Sequence, residues 1–461
     1  MNPIQQRWHA KGGYRDVLHI AFPLVLSSSA WTIQTFVDRI FLSWYSPEAI
    51  AASGPAGFLN ITIVHLFTGT TGYVSVFIAQ YFGSHRLKEI GPVLWQSLYF
   101  AFGGALFILC LIPWVSPFFN LVGHPLLVRQ NEITYFSILC TGGLPVLVSA
   151  AFSGFFSGLG RTWAIMWINL FSTLVNLVLD YALIFGRWGF PEMGIAGAAI
   201  ASVFAATLSC LAFIPLVFTK KNNQTYGVWS GKPWEKDLFL RLLRFGFPSG
   251  VQVFVDILAF TVFVFLVGRL GTESLAATNI AFNINMLAFV PMFGTGMAVS
   301  ILVGRHLGED KPDLAKFSVY SGFHLTCVYM ITLALAYVLV PDLFILPFAA
   351  NSNPEEFGKI HAITTGLLRF VAIYSLFDAM NIIFSSAIKG AGDTRFVMFM
   401  LLVLSSLGLV MPTYFAMERF NAGLTACWII ATAYVILLGS SFYLRFLGGK
   451  WQKMRVIEKE L

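Results

Sequence analysis

The sequence predicts an all-α membrane protein of twelve transmembrane helices, built as two six-helix bundles related by a parallel internal repeat. Three observations predict it: a shortage of charge, a train of apolar runs of bilayer length, and a collinear match between the two halves. Of 461 residues, 57% are hydrophobic and 11% charged, and mean hydropathy is +0.75. A soluble domain carries about 25% charged residues because its surface faces water. This surface is suited to lipid instead.

Helices need roughly 20 apolar residues to cross about 30 Å of hydrocarbon at 1.5 Å per residue. Such runs fall near 17–45, 50–82, 93–115, 133–159, 163–186 and 194–218 in the first half. In the second half they fall near 245–268, 277–304, 317–347, 361–388, 396–417 and 422–446. A transmembrane barrel would show short alternating strands, and the runs do not alternate. Ahead of span 1, "MNPIQQRWHAKGGYRDVLHI" is basic and without a following small-residue cleavage site, so it reads as an interfacial segment rather than a signal peptide. Pro23 and Pro248 are expected to open the first helix of each half, and Pro291 with Gly294 to interrupt span 8; these positions read equally as hinges or as prolines and glycines tolerated within a span.

Basic residues orient the spans. Of 29 Lys and Arg, 22 lie in the termini and in the loops after even-numbered spans. The loops after odd-numbered spans hold Arg129, Arg187, Arg269, Lys359 and Arg419, while Arg39 and Arg369 fall inside spans. Cytoplasmic loops collect Lys and Arg, so both termini are expected in the cytoplasm. The net charge of +7 then reflects basic loops beside anionic lipid and calls for no nucleic acid.

Residues 22–91 align without gaps on residues 247–316 at an offset of 225. The match pairs Phe22-Pro23 with Phe247-Pro248, "EAIAAS" with "ESLAAT", Gly69-Thr70 with Gly294-Thr295, and Ser75 with Ser300. Further on, "GLGRT" (158–162) answers "GAGDT" (390–394). Because the offset spans six helices, both halves enter the bilayer from the same side, the arrangement of parallel repeats around a shared cavity. The expected division is an N-terminal lobe at 1–218, a polar cytoplasmic linker at 219–237 that rests partly on the membrane surface, and a C-terminal lobe at 238–461.

An ionisable side chain near a helix centre costs about 2.5–3.5 kcal/mol on insertion scales, so it faces a cavity or a partner. Four aspartates qualify: Asp38 in span 1, Asp180 in span 5, Asp256 in span 7 and Asp378 in span 10. Asn176 lies one turn from Asp180 on the same helix face. Asp38, Asn176 and Asp180 together form an oxygen-rich set suited to a proton or to a hard cation such as Na+. Asp256 and Asp378 are not repeat mates of that set, since Phe263 stands where a copy of Asp38 would fall. The plain alternative for each acid is a hydrogen bond to a neighbouring helix or to an arginine.

Cys110, Cys140, Cys210, Cys327 and Cys427 are scattered singly and read as packing residues. His65 and His324 read as hydrogen-bonded packing residues. No phosphate loop, HExxH or GxSxG occurs in a fitting context, so neither an enzyme nor a cofactor is expected. Aromatic residues, 16% of the chain, suit a cavity for lipophilic cations through stacking and charge attraction.

The phrase "FP…TFVDRIFLSWYSPEAIAASG" and its echo "FP…VGRLGTESLAATN" resemble the multidrug and toxic compound extrusion (MATE) family, with NorM-type and DinF-type features. The resemblance covers essentially the whole chain. It is supported by "SGLGRTWAIMWINLFSTLVNLVLDYALIFG" before "GFPEMGIAGAAIAS" and by "FDAMNIIFSSAIKGAGDTR". It implies a multidrug efflux antiporter that exports lipophilic or aromatic organic cations in exchange for H+ or Na+ by alternating access. Such a protein sits in the inner (plasma) membrane, contacts lipid, and is expected as a monomer.

The resemblance matches the family's span-1 acid to Asp38 and the further ligands of an N-lobe site to Asn176 and Asp180. NorM-type acids of spans 7 and 10 match Asp256 and Asp378, although the first is commonly Glu. The alternative within the same superfamily is a lipid-linked oligosaccharide flippase. Its anionic cargo would call for a basic cavity, whereas Arg39 and Arg369 stand here against four aspartates.

Overall fold

The computed structural model describes residues 3–349 and 354–458. Residues 1–2 of the predicted interfacial segment, 350–353 after span 9, and 459–461 at the end of the C-terminal half lie outside the described residues. Among the described residues every regular element is helical. Helices α1 (Pro3–His9) and α2 (Tyr14–Tyr45) lead into α3 (Pro47–Gly72) and α4 (Val74–Gly83), which together make one span. Ser46 sets the start of α3: its Oγ accepts a hydrogen bond from the Ala49 N–H at 3.0 Å, with Pro47 in the first turn. Next come α5 (Ile90–Cys110), α6 (Ile112–Val122), α7 (Leu126–Thr141), α8 (Gly143–Gly158), α9 (Thr162–Phe185) and α10 (Ile195–Val217). Gly186, at φ +63°, closes α9 in the left-handed conformation that favours glycine.

The linker carries α11 (Lys220–Tyr226), capped by Thr219 Oγ1. It is held down along α5: Trp95 Nε1 donates to Val228 O at 2.7 Å and Gln96 Nε2 to Pro233 O at 3.2 Å. The second half runs through α12 (Lys236–Gly268), α13 (Thr272–Gly308), α14 (Pro312–Leu339), α15 (Asp342–Ile345) and α16 (Pro354–Ala391). After these, α17 (Thr394–Leu404) and α18 (Met411–Phe420) join through a π-helical turn at Ser405–Val410, and α19 (Leu424–Leu447) ends the bundle.

Among the described residues eleven spans are long and apolar enough to cross a bilayer, and α7 with α8, bent by 45° at their junction, make a twelfth when taken as one span. Four local expectations are corrected. Pro23 and Pro248 lie well inside α2 and α12 rather than at their openings. Span 8 is not interrupted, because α13 runs unbroken through Pro291. The break falls in span 4, at the Gly142–Gly143 pair. Span 9 stops at Leu339, and the apolar stretch beyond it folds as α15.

Contacts divide the chain into two compact units. One comprises residues 26–254 with 456–461, and the other residues 1–25 with 255–455. The repeat divides sequence; this division follows packing, and it passes through α2 and α12 just beyond Pro23 and Pro248. The repeat is visible inside each unit. A Cβ on Gly69 would meet Gly250 Cα at 2.8 Å, and one on Gly294, its repeat mate, would meet the Val25 backbone N at 3.0 Å. Val25 and Gly250 are themselves equivalent at the offset of 225. Likewise a Cβ on Gly158 would meet Ser75 O at 2.6 Å, and one on Gly390 would meet Ser300 O at 2.4 Å. At these two matched pairs the glycines sit where helix backbones touch.

Candidate functional site

The first cluster is built on α2, α9 and α10 in the unit of residues 26–254. Asp38, Asn176 and Asp180 are all buried. Asp38 and Asp180 are close enough for their carboxyl groups to interact directly. One end of the Asn176 amide lies 3.2 Å from Asp38 Oδ1 and 3.0 Å from Asp180 Oδ2, and its other end 3.3 Å from the Ser202 backbone N. One carboxyl oxygen, Asp180 Oδ1, has no hydrogen-bond partner among the described residues.

Polar groups continue along the same helices. The Gln34 amide lies 3.1 Å from that of Asn176, and Thr173 Oγ1 donates to Gln34 Oε1 at 3.4 Å. Further along, Asn169 Nδ2 donates to Ser27 Oγ at 2.6 Å, and Asn169 Oδ1 accepts from Ser209 Oγ at 3.4 Å. Tyr135 of α7, also buried, lies within electrostatic range of Asp38, Asp180 and Arg39.

The second cluster belongs to the other unit. Asp256 of α12 lies within electrostatic range of Asp378 and Lys389 of α16, and Asn381 Nδ2 donates to Asp378 Oδ1 at 3.4 Å. Tyr374 feels Asp378, and Tyr434 feels both acids. Lys389, assigned from sequence to the loop after span 10, stands in the last turn of α16.

The structure therefore groups the predicted residues as two sets, Asp38–Asn176–Asp180 and Asp256–Asp378. Sequence reasoning missed Gln34, Thr173, Tyr135 and Lys389. Gln34 precedes Asp38 by four residues, and Asn169, Thr173, Asn176 and Asp180 follow one another at intervals of four, three and four. That spacing puts each set on one helix face and was the available signal.

Arg39 is exposed, with its guanidinium 5.6 Å from the centre of the Phe58 ring, and Arg369 is exposed. His65 Nδ1 bonds to Ile61 O at 2.8 Å and His324 Nδ1 to the Tyr14 hydroxyl at 3.1 Å, as packing residues do. The five cysteines are unpaired. Among the described residues no group of three His, Cys, Asp or Glu is placed to hold a metal ion.

Fold and site define a polytopic helical membrane protein with a duplicated scaffold, a buried acid pair in one unit and the acids Asp256 and Asp378 in the other. The chain belongs to the multidrug and toxic compound extrusion (MatE) family, whose model matches it twice, over residues 23–182 and 248–414. The two matches begin at Pro23 and Pro248, the equivalent prolines of the repeat. It is a transporter, not an enzyme. The probable multidrug resistance protein NorM of Thermotoga maritima is 26% identical over 451 residues, covering 97% of this chain and 95% of the relative. The multidrug resistance protein PmpM of Pseudomonas aeruginosa is 27% identical over 406 residues, covering 87% and 83%. A MOP superfamily transporter from Pyrococcus furiosus has the same fold, with a TM-score of 0.87 at 19% identity, over 98% of this chain and 99% of that one.

Proposed function

We propose that this protein is a multidrug efflux antiporter that exports lipophilic or aromatic organic cations in exchange for H+ by alternating access. In this reading it works as a monomer in the bacterial inner membrane, with both termini in the cytoplasm. Relatives named for multidrug resistance along nearly the whole chain support the efflux role. The buried pair Asp38–Asp180 carries the ion assignment: two neighbouring carboxyl groups out of water resist being ionised together, and one proton relieves that repulsion.

Entry of the proton neutralises the pair in the state that releases drug; its departure accompanies drug loading. Coupling requires that proton and drug each prefer a different state. In proteoliposomes, an imposed pH gradient is expected to drive efflux of an organic cation, and Asp38→Asn to abolish it. Wild-type rates in Asp38→Asn would refute the site. Efflux driven by a Na+ gradient alone would keep the site and replace the ion.

A further inference from the structure

A second carboxylate lies buried in the same unit, away from the acid pair. Glu132, in the second turn of α7, is 0% exposed, and its Oε1 lies 2.8 Å from Nδ1 of His124, which is 37% exposed. The other oxygen, Glu132 Oε2, has no hydrogen-bond partner among the described residues. Gly123, at φ +81°, ends α6, and Pro125 starts α7, so His124 is presented on the tight turn between them. Taking a carboxylate out of water is expensive, and an unmet buried oxygen costs about 1–3 kcal/mol more.

Glu132 also has a neighbour on its own helix face. Tyr135 follows by three residues, which places the two Cβ atoms about 5–6 Å apart, and Tyr135 lies within electrostatic range of Asp38 and Asp180. The other ionisable groups on α7 are Arg129 and Cys140. Of the helices packed against it, α6 and α8 carry none, α3 carries Glu48 and His65, α5 carries Tyr99 and Cys110, and α10 carries Cys210.

We infer that His124 and Glu132 form the outer port of a proton route to the Asp38–Asp180 pair, with Tyr135 as the step between. The inference rests on the reading of that pair as the coupling site and on the orientation set by the basic loops, which puts the turn at His124 outside. His124 takes a proton from the outer solution and passes it to Glu132. Tyr135 accepts a proton on its hydroxyl oxygen, directly or through one water, while releasing its own to Asp180. One proton moves inward, and each relay group returns to its starting state.

The test uses the full-length protein in proteoliposomes, with internal pH read by a trapped dye and drug binding read separately. Glu132→Gln is expected to slow proton movement and ΔpH-driven efflux by about tenfold or more, with drug affinity unchanged. Formate, a small diffusible weak acid, should restore the rate in Glu132→Gln, and His124→Gln should shift the pH profile of transport. A loss of drug binding together with transport would mean a packing role and overturn the inference, as would the absence of formate rescue. Wild-type proton movement in Glu132→Gln, with Asp38→Asn inactive, would overturn the port and leave the coupling site standing. Inactivity of neither variant would remove both.

Discussion

Asn176 holds the acid cluster together from the middle. Its side chain lies within hydrogen-bond distance of two carboxyl groups and of the Ser202 backbone, so three helices meet at a single amide. Hydrogen bonds to charged groups contribute about 1.5–3 kcal/mol each, and leaving a buried acceptor unmet costs about as much again. Asn176→Leu should therefore lower thermal stability in detergent by a few kcal/mol and reduce ΔpH-driven efflux at least as far as Asp38→Asn does. Asn176→Asp keeps the shape but brings a third acid beside two others; it should fold at low pH and lose stability as pH rises and like charges accumulate. Melting both variants across a pH series checks the sign, and a flat pH response for Asn176→Asp would contradict it. The intramembrane acids were legible in the sequence because charge is rare there. Their neutral partners Gln34 and Thr173 were not, since single amides and hydroxyls are common on apolar helices and declare themselves only by spacing. Lys389 was hidden differently: it lies where helix and loop have the same composition.

Helix positions were read nearly everywhere from apolar length, because the bilayer fixes how many residues a span needs. What length does not carry is where a helix bends. Proline drew attention at Pro291, yet α13 continues through it: the carbonyl that the missing Pro291 N–H leaves unpaired, Leu287 O, accepts from the Tyr329 hydroxyl at 2.9 Å, an example of a side chain re-satisfying the helix around a proline. The real break stands at Gly142–Gly143, two residues with no side chain to flag them. Glycine has a second role in these helices, at the backbone contacts of Gly158 with Ser75 O and of Gly390 with Ser300 O. Overpacking such a contact costs about 1–3 kcal/mol. Gly158→Leu and Gly390→Leu should each lower the melting midpoint clearly, by similar amounts, because the repeat gives them the same neighbour. Gly103→Leu, exposed and with nothing near a new Cβ, should leave the midpoint unchanged. Equal destabilisation of all three would deny that close approach is the cause.

The repeat was legible at the scale of the whole chain, and it reappears as paired glycine contacts and as two family matches starting at equivalent prolines. It did not disclose that each packed unit takes the opening of its first helix from the other half. Residues 1–25 pack with 255–455, and residues 238–254 with 26–237. Neither half-sequence then contains all of a packed unit, and each would leave an apolar helix surface uncovered if made alone. Cutting after Glu235, in the exposed end of the linker, separates the chain into 1–235 and 236–461 without touching a span. Expressed singly, each piece is expected to be degraded or to aggregate on detergent extraction. Expressed together, they should co-purify and recover ΔpH-driven efflux, since the exchanged segments can still reach their partners. A fragment 1–235 that is monodisperse and protease-resistant by itself would show that the half-sequence closes its own core, and that the contribution of residues 238–254 to that unit is dispensable.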